Sequence, residues 1–320
     1  MHITKTDWLG IVAAIAFLAV IPLVAPSRYI VGVLTVGLCY GIWAASWDFM
    51  SGLTGRENFG HSLFIGVGAY TFGFMNVTFG FSPWWGLIVA PATAVLFSLL
   101  MGLPTLRLQG PYFALAMLSG AVVMQKLSII FAEYTGGQDG LNGIMPILNS
   151  QTASYYFTLA LLVATVVILK TMALSPFGTI LRAIRGDEAT CQAAGINVNF
   201  YKIAALMISA AFAGLGGGLY ANYQLQVGPD LFDVGLAINI IVMVYVGGMG
   251  SIYGPVGGAL LLIFLTESLR SLSEYRLWVY TLVLIFILFF MPRGFIAPAW
   301  LRLRAMLPGG REPASGKVAA

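Results

Sequence analysis

Apolar stretches long enough to cross a bilayer recur from one end of this chain to the other, and no other feature restricts its fold as severely. We read spans at residues 8–26, 29–50, 61–79, 83–103, 112–132, 155–172, 202–222, 235–248, 256–272 and 277–293. An α-helix rises about 1.5 Å per residue, so about 20 apolar residues cover a hydrocarbon core of about 30 Å. No water reaches that core, so each segment has to close its backbone hydrogen bonds within itself, as a helix. Hydrophobic residues make up 59% of the 320 residues. Mean hydropathy is +0.90. That is more apolar side chain than a soluble core of this length buries. The expected fold class is an all-α polytopic membrane protein of about ten transmembrane helices, some glycine-broken. The range is 8–10 because the third, eighth and ninth segments are short or interrupted.

The few charges then fix an orientation. Lys5, Arg56, Arg107, Lys170, Arg182, Arg185, Lys202, Arg293, Arg302, Arg304, Arg311 and Lys317 fall on one side of this topology, against Arg28, Arg270 and Arg276 on the other. A Lys or Arg displaced to a helix centre costs roughly 2.5–3.5 kcal/mol, and the richer side is cytoplasmic. Both termini are therefore expected in the cytoplasm, with residues 301–320 a disordered cytoplasmic tail. The net charge of +4 reflects this bias, and no nucleic-acid partner is implied. The first apolar run has no small-residue cleavage site and is read as a retained span. Cys39 and Cys191 have neither the spacing nor the setting of a disulfide or zinc site.

Enzyme chemistry finds no support. No GxxxxGK[ST] string is present to cradle nucleotide phosphates, so any ATP hydrolysis belongs to another polypeptide. Gly136-Gly137-Gln138 superficially resembles an ATPase signature but lies in an outer loop of this topology. No GxSxG or HExxH occurs, and His61 is the only histidine beyond the extreme N-terminus. No catalytic residue, metal site or cofactor bound by this chain is expected.

Three polar islands stand out instead. Ser175 to Tyr220 places Arg182, Arg185, Asp187, Glu188, Ala189 and Gly195 between two apolar segments. Ile180, Leu181 and Ile184 fall at helical spacing there, which reads either as an amphipathic helix docking into a groove on a soluble partner or as a solvated connection. Gly52 to Ser62 clusters polar groups among glycines. Asn58 and His61 there are candidates for the translocation path, the alternative being a tight turn that lets helices pack. Tyr134 to Ile144 carries Gly137, Asp139 and Asn142, which suit either contact with a substrate-delivery protein or a solvated turn. Asp48, Lys126 and Glu267 are ionisable groups in or near spans. Lys126 reads as mid-helix, and Glu267 as paired with Arg270. Gly52, Gly55, Gly60 and Gly66 faintly echo Gly247, Gly250, Gly254 and Gly257, which reads as an internal repeat or as chance. Small residues from Ala210 to Gly218 read as a close helix-packing face.

Glu188-Ala189 followed by Gly195-Ile196 resembles the EAA-type coupling loop of ABC importer permeases. GLTGRENFGHSLFIGVGAY (Gly52 to Tyr70), LRLQGPYFALAML (Leu106 to Leu118), GGQDGLNGI (Gly136 to Ile144) and VGGMGSIYGPVGGALL (Val246 to Leu261) together resemble the M-type permease of branched-chain amino-acid ABC transporters, over about residues 30–296. Two departures are visible. Arg56, Glu57 and Asn58 interrupt the family's G-Q-x-S-F-G-H, where Arg56 and Glu57 suggest a local ion pair, and Gln138-Asp139 replaces the usual Thr-Asn. The resemblance implies a single permease domain over 1–300, with a cytoplasmic coupling loop at about 173–202, in the cell inner membrane. It also implies a second permease subunit, two cytoplasmic ATPase subunits that use the ATP, and a periplasmic substrate-binding protein. The expected solute is a branched-chain amino acid, with urea, short amides and aromatic acids as related possibilities. The alternative function is a secondary, ion-coupled amino-acid transporter that works without ATPase partners.

Overall fold

The computed structural model describes residues 16–23, 27–105, 108, 111–269 and 285. Helical residues 16–23 (α1) lead to α2 (Arg28–Trp47), which loosens into a π turn at Asp48–Gly52. Then come α3 (His61–Gly73), extended by a second π turn at Phe74–Thr78, α4 (Pro83–Thr105), α5 (Pro111–Ile130) and the single turn α6 (Ala132–Thr135). α7 (Gln151–Leu174), α8 (Pro176–Gly186), α9 (Glu188–Ala193), α10 (Val198–Gln224), α11 (Val234–Gly247) and α12 (Tyr253–Ser268) follow. Among the described residues, Arg28–Gly52, α4, α5, α7 and α10 are long and apolar enough to cross a membrane, while α11 and α12 are shorter apolar helices. Each span read between 29 and 272 meets one of these helices. The tenth, at 277–293, lies outside the described residues except for Ile285, as do the tail, Arg270 and, apart from 16–23, the first span.

Hydrogen bonds between connections show that successive helices alternate in direction. At one end, Arg56 reaches the Leu108 carbonyl at 2.6 Å, Arg185 reaches the Gly52 carbonyl at 2.6 Å, and Lys170 Nζ reaches the Ser251 carbonyl at 3.1 Å. At the opposite end, Asn76 Oδ1 accepts from the Met145 amide and Asn222 Oδ1 from the Ile147 amide, both at 2.7 Å. There the two-residue strands β1 (Leu141–Asn142) and β2 (Gln226–Val227) pair antiparallel. Short connections between antiparallel helices produce this alternation directly.

α2 and α10 form the centre. α10 packs against α3, α4 and α2, and α2 also carries α7 and α12. A helix buried on most sides has no polar face to show, and α2 and α3 place Trp43, Trp47, Phe64 and Phe72 in full burial. α4 and α5 instead expose Ile88, Leu96, Leu100, Leu115 and Val123, as lipid-facing or partner-facing helices do. Lys126 is not mid-helix: it is exposed on α5, four residues before Ile130, where a long side chain easily reaches the interface at that end.

The small residues of Ala210 to Gly218 let α10 and α3 approach closely. A methyl group on Gly68 would sit 2.3 Å from the Gly214 carbonyl oxygen, and one on Gly217 would sit 2.2 Å from the Ile65 carbonyl oxygen. Close backbone approach replaces the hydrophobic drive that lipid cannot supply. Gly68→Val is therefore expected to force α3 and α10 apart and destabilise the bundle by at least about 1–3 kcal/mol. Thermal unfolding in detergent measures it, and a variant melting with the wild type would contradict the packing.

Candidate functional site

The polar island between α7 and α10 is a folded unit. Ser175 is extended and Pro176 opens α8 with its φ already set for a helix. Gly178, Leu181 and Ile184 turn inward, while Arg182, Ala183 and Arg185 lie outward. Asp187 then caps α9, accepting from the Thr190 amide at 3.1 Å and from the Thr190 hydroxyl. These bonds to Thr190 hold the Asp187 carboxyl below its usual range. Gly195, at φ +82°, makes the left-handed turn that ends the unit, and Asn197 caps α10. Ile184, Cys191 and Val198 form a second apolar core separate from the main one, with Ile180, Ile196 and Tyr201 against it. The docking-helix reading of the sequence therefore has a rigid body behind it, whose exposed surface carries Arg182, Ala189 and Gly195.

Glu188 anchors that body. Its two carboxylate oxygens accept from Arg56, at 2.9 Å, and from Lys202. Lys202 is almost fully buried. Partial burial pushes the Glu188 carboxyl up, but the hydrogen bonds from Lys202 and Arg56 outweigh it, so the group sits below its ordinary value. Arg56 makes no pair with Glu57, as its neighbour position suggested. It bridges Glu188 and the Leu108 carbonyl, while Glu57 accepts from the Tyr245 hydroxyl at 2.6 Å. Deeper in, Asp48 is fully buried and accepts from the Gly250 amide at 2.6 Å and the Ile252 amide at 2.8 Å. The two glycine strings of the sequence thus meet at one place, Gly52 beside Gly250.

The other candidates have different settings. Asn58 and His61 are buried where α2, α3 and α10 join. The Asn58 carbonyl accepts from Trp47 Nε1 at 2.7 Å, Asn58 Oδ1 accepts from the Gly60 amide, and His61 Nε2 lies 3.1 Å from Ser46 Oγ. In the 136–144 loop Asp139 and Asn142 are exposed, while Gly137 is buried and shapes the turn at φ +62°. Asn142 and Gln226 side chains both donate to the Asp139 carbonyl, which ties the loop to β2. Glu267 accepts from the Tyr29 hydroxyl across α2 and α12. Sequence reasoning singled out Asp48 without its partners and missed Lys202 as an anchor. The available signal was scarcity: in a chain only 9% charged, each charge near a helix end has a task.

The family model described as "Branched-chain amino acid transport system / permease component" matches residues 29–291. The chain belongs to this family. The permease is 29% identical over 299 residues to the high-affinity branched-chain amino acid transport system permease protein LivM of Escherichia coli (strain K12), covering 84% of this chain and 70% of the relative. It is 29% identical over 196 residues to the guanosine ABC transporter permease protein NupQ of Bacillus subtilis (strain 168), covering 53% of this chain and 59% of the relative. Over 120 residues, 35% of this chain and 37% of the relative, it is 31% identical to the ribose import permease protein RbsC of Haemophilus influenzae. No solved structure matches the permease significantly. It is an ABC transporter permease with a multi-pass helical membrane architecture.

The lowered Glu188 value gives the anchor a pH window. A carboxyl held below its ordinary value of 4.5 contributes stability that is fully present above that value and lost as pH falls through the lowered one. The α8–α9 unit should therefore stay seated at neutral pH and loosen only below about pH 4. Glu188→Gln should loosen it at pH 7. A partly exposed pair is worth about 1 kcal/mol, so Cys191, buried beneath α9, should alkylate about fivefold faster. Mass spectrometry of Cys191 against Cys39 reads this directly, and equal Cys191 rates would contradict the anchor.

Proposed function

We propose that this chain is one transmembrane subunit of an ATP-driven importer, working as a heterodimer with a second permease. Two cytoplasmic ATPase subunits dock on α8–α9, and a periplasmic substrate-binding protein meets the loop around Asp139 and Asn142. The observation that carries this reading is the α8–α9 body, with its own apolar core, set on the face where Arg56, Lys170, Arg182, Arg185 and Lys202 gather. Arg28 and Lys126 lie toward the other face. Positive residues favour the cytoplasm, so α8–α9 faces the ATPases and both termini are cytoplasmic in the inner membrane.

In this mechanism the chain binds no cofactor, and ATP is used by the partner subunits. ATPase closure displaces α8–α9, the helices re-orient between inward and outward access, and the solute crosses between states for which its affinity differs. Branched-chain amino acids are the first expectation from the LivM relative, whereas the NupQ and RbsC relatives are named as guanosine and ribose permeases. Recognition is assigned to the binding protein. The burial of Asn58 and His61 inside the subunit supports a role in holding the α2–α3 junction more than one in lining a path between subunits.

The test is to extract the tagged subunit gently from its native membrane and identify what co-purifies. A second permease and two P-loop ATPases are expected. Arg182→Glu and Ala189→Trp, both on the exposed surface of α8–α9, should remove the ATPases about tenfold or more without changing the melting temperature. A subunit that purifies alone, with uptake intact in ATP-depleted vesicles, would make it a secondary carrier.

A further inference from the structure

The ATPase-docking reading leaves open how motion of α8–α9 reaches the helices that enclose the solute, and the structure offers a route apart from the covalent chain. The covalent links at both ends of the unit are hinges: extended Ser175 before α8, and Gly195 with Asn197 before α10. A rigid body between two hinges swings freely unless something else holds it. Leu181 of α8 packs into the main core and Phe177 stacks on Phe49, and two arginines add polar contacts that both land on the 52–60 loop. Arg185 of α8 donates to the Gly52 carbonyl at 2.6 Å. Arg56 of the loop pairs with Glu188 of α9 at 2.9 Å, and its other terminal nitrogen donates to the Leu108 carbonyl at 2.6 Å in the connection between α4 and α5.

That loop is in turn fastened to the core. The Asn58 amide donates to Ser51 Oγ and the Asn58 carbonyl accepts from Trp47, so the loop is stapled back onto α2. Glu57 holds Tyr245 of α11, and His61, where α3 begins, meets Ser46 of α2. A push on α9 through Arg56 therefore reaches α2, α3, α5 and α11, none of which is a covalent neighbour of α8–α9. Glu188 completes the same junction on the other side by pairing with Lys202 of α10.

Resting on the importer reading, we propose that Arg56 is a positioning residue that makes the α8–α9 unit, the 52–60 loop and the Leu108 connection move as one body, so that ATP hydrolysis is converted into solute transport. Arg56 takes no part in ATPase docking, because its guanidinium is turned inward onto Glu188 and Leu108. Coupling is a free energy between sites, and removing its carrier should separate the two activities without abolishing either.

The experiment compares wild type, Arg56→Gln and Arg56→Lys in the complete transporter, purified with its partners and reconstituted in proteoliposomes. Uptake and ATP hydrolysis are measured on the same vesicles. Arg56→Gln is expected to retain the ATPases but lower solute moved per ATP about fivefold or more, with Arg56→Lys restoring much of the ratio by keeping the charge on Glu188. An unchanged ratio in Arg56→Gln, or loss of the ATPases from that complex, overturns the proposal. Hydrogen exchange on the full-length subunit provides a readout that needs no ATPase. Arg56→Gln should raise exchange in residues 52–60 and in α9 together while the middle of α7 stays unchanged, and a change confined to one of the two segments also overturns it. A wild-type preparation without ATPases would instead sink the importer reading, leaving hydrogen exchange to decide on Arg56.

Discussion

The Asp48 carboxylate is the interaction on which the rest of this fold depends. It is fully buried, and a buried charge is tolerated only when its oxygens are satisfied. Two backbone amides do this, from Gly250 and Ile252 in the turn between α11 and α12. That turn is strained: Gly250 lies at φ +85° and Ile252, a β-branched residue, at φ +68°. A left-handed β-branched residue costs on the order of 1–3 kcal/mol and persists only where its surroundings hold it. Charge-assisted bonds from Asp48 are such a hold. The same carboxylate leaves no room for a side chain at Gly52, where a methyl group would fall 2.2 Å from Asp48 Oδ1. The bare Gly52 carbonyl is then open to Arg185 of α8. One buried acid thus joins α2, the α11–α12 turn and the unit read as the coupling element.

A consistent pattern runs through the charged groups on this face. Arg56, Arg185, Lys202, Lys170 and Glu57 each reach a carbonyl, a hydroxyl or an opposite charge on another segment. Loops at a membrane surface gain little from hydrophobic burial, so directional polar contacts set their relative positions. The exception is the α8–α9 body, where Ile184, Cys191 and Val198 supply a small apolar core of their own. That core, together with Leu181 and Phe177 set against the main one, keeps a connection of about twenty residues folded onto the bundle, with one flank left clear for a partner.

Much of the helical layout was legible because lipid imposes it. The apolar runs had to be helices, and those between 29 and 272 are; Ile180, Leu181 and Ile184 had to share a face, and they pack inward. The small residues from Ala210 to Gly218 were legible as a packing surface for the same reason. Partners were not legible. Arg56 stands beside Glu57 in the chain, yet its ion-pair partner Glu188 is 132 residues away. Glu267 accepts from Tyr29, 238 residues away, while Arg270, its expected partner by spacing, lies outside the described residues. Lys126, read as mid-helix, lies four residues from the end of α5.

The sequence by itself determined that this is a multi-pass helical membrane protein, roughly where its helices run, and which family it resembles. It could do so because hydropathy and motif order are local properties, readable one segment at a time. Only the tertiary structure decided which charges meet, which face of α8–α9 is anchored, and that the two glycine strings close on one buried carboxylate. Those outcomes depend on how the helices pack laterally, and a side chain's partner across that packing leaves no mark on its neighbours in the chain.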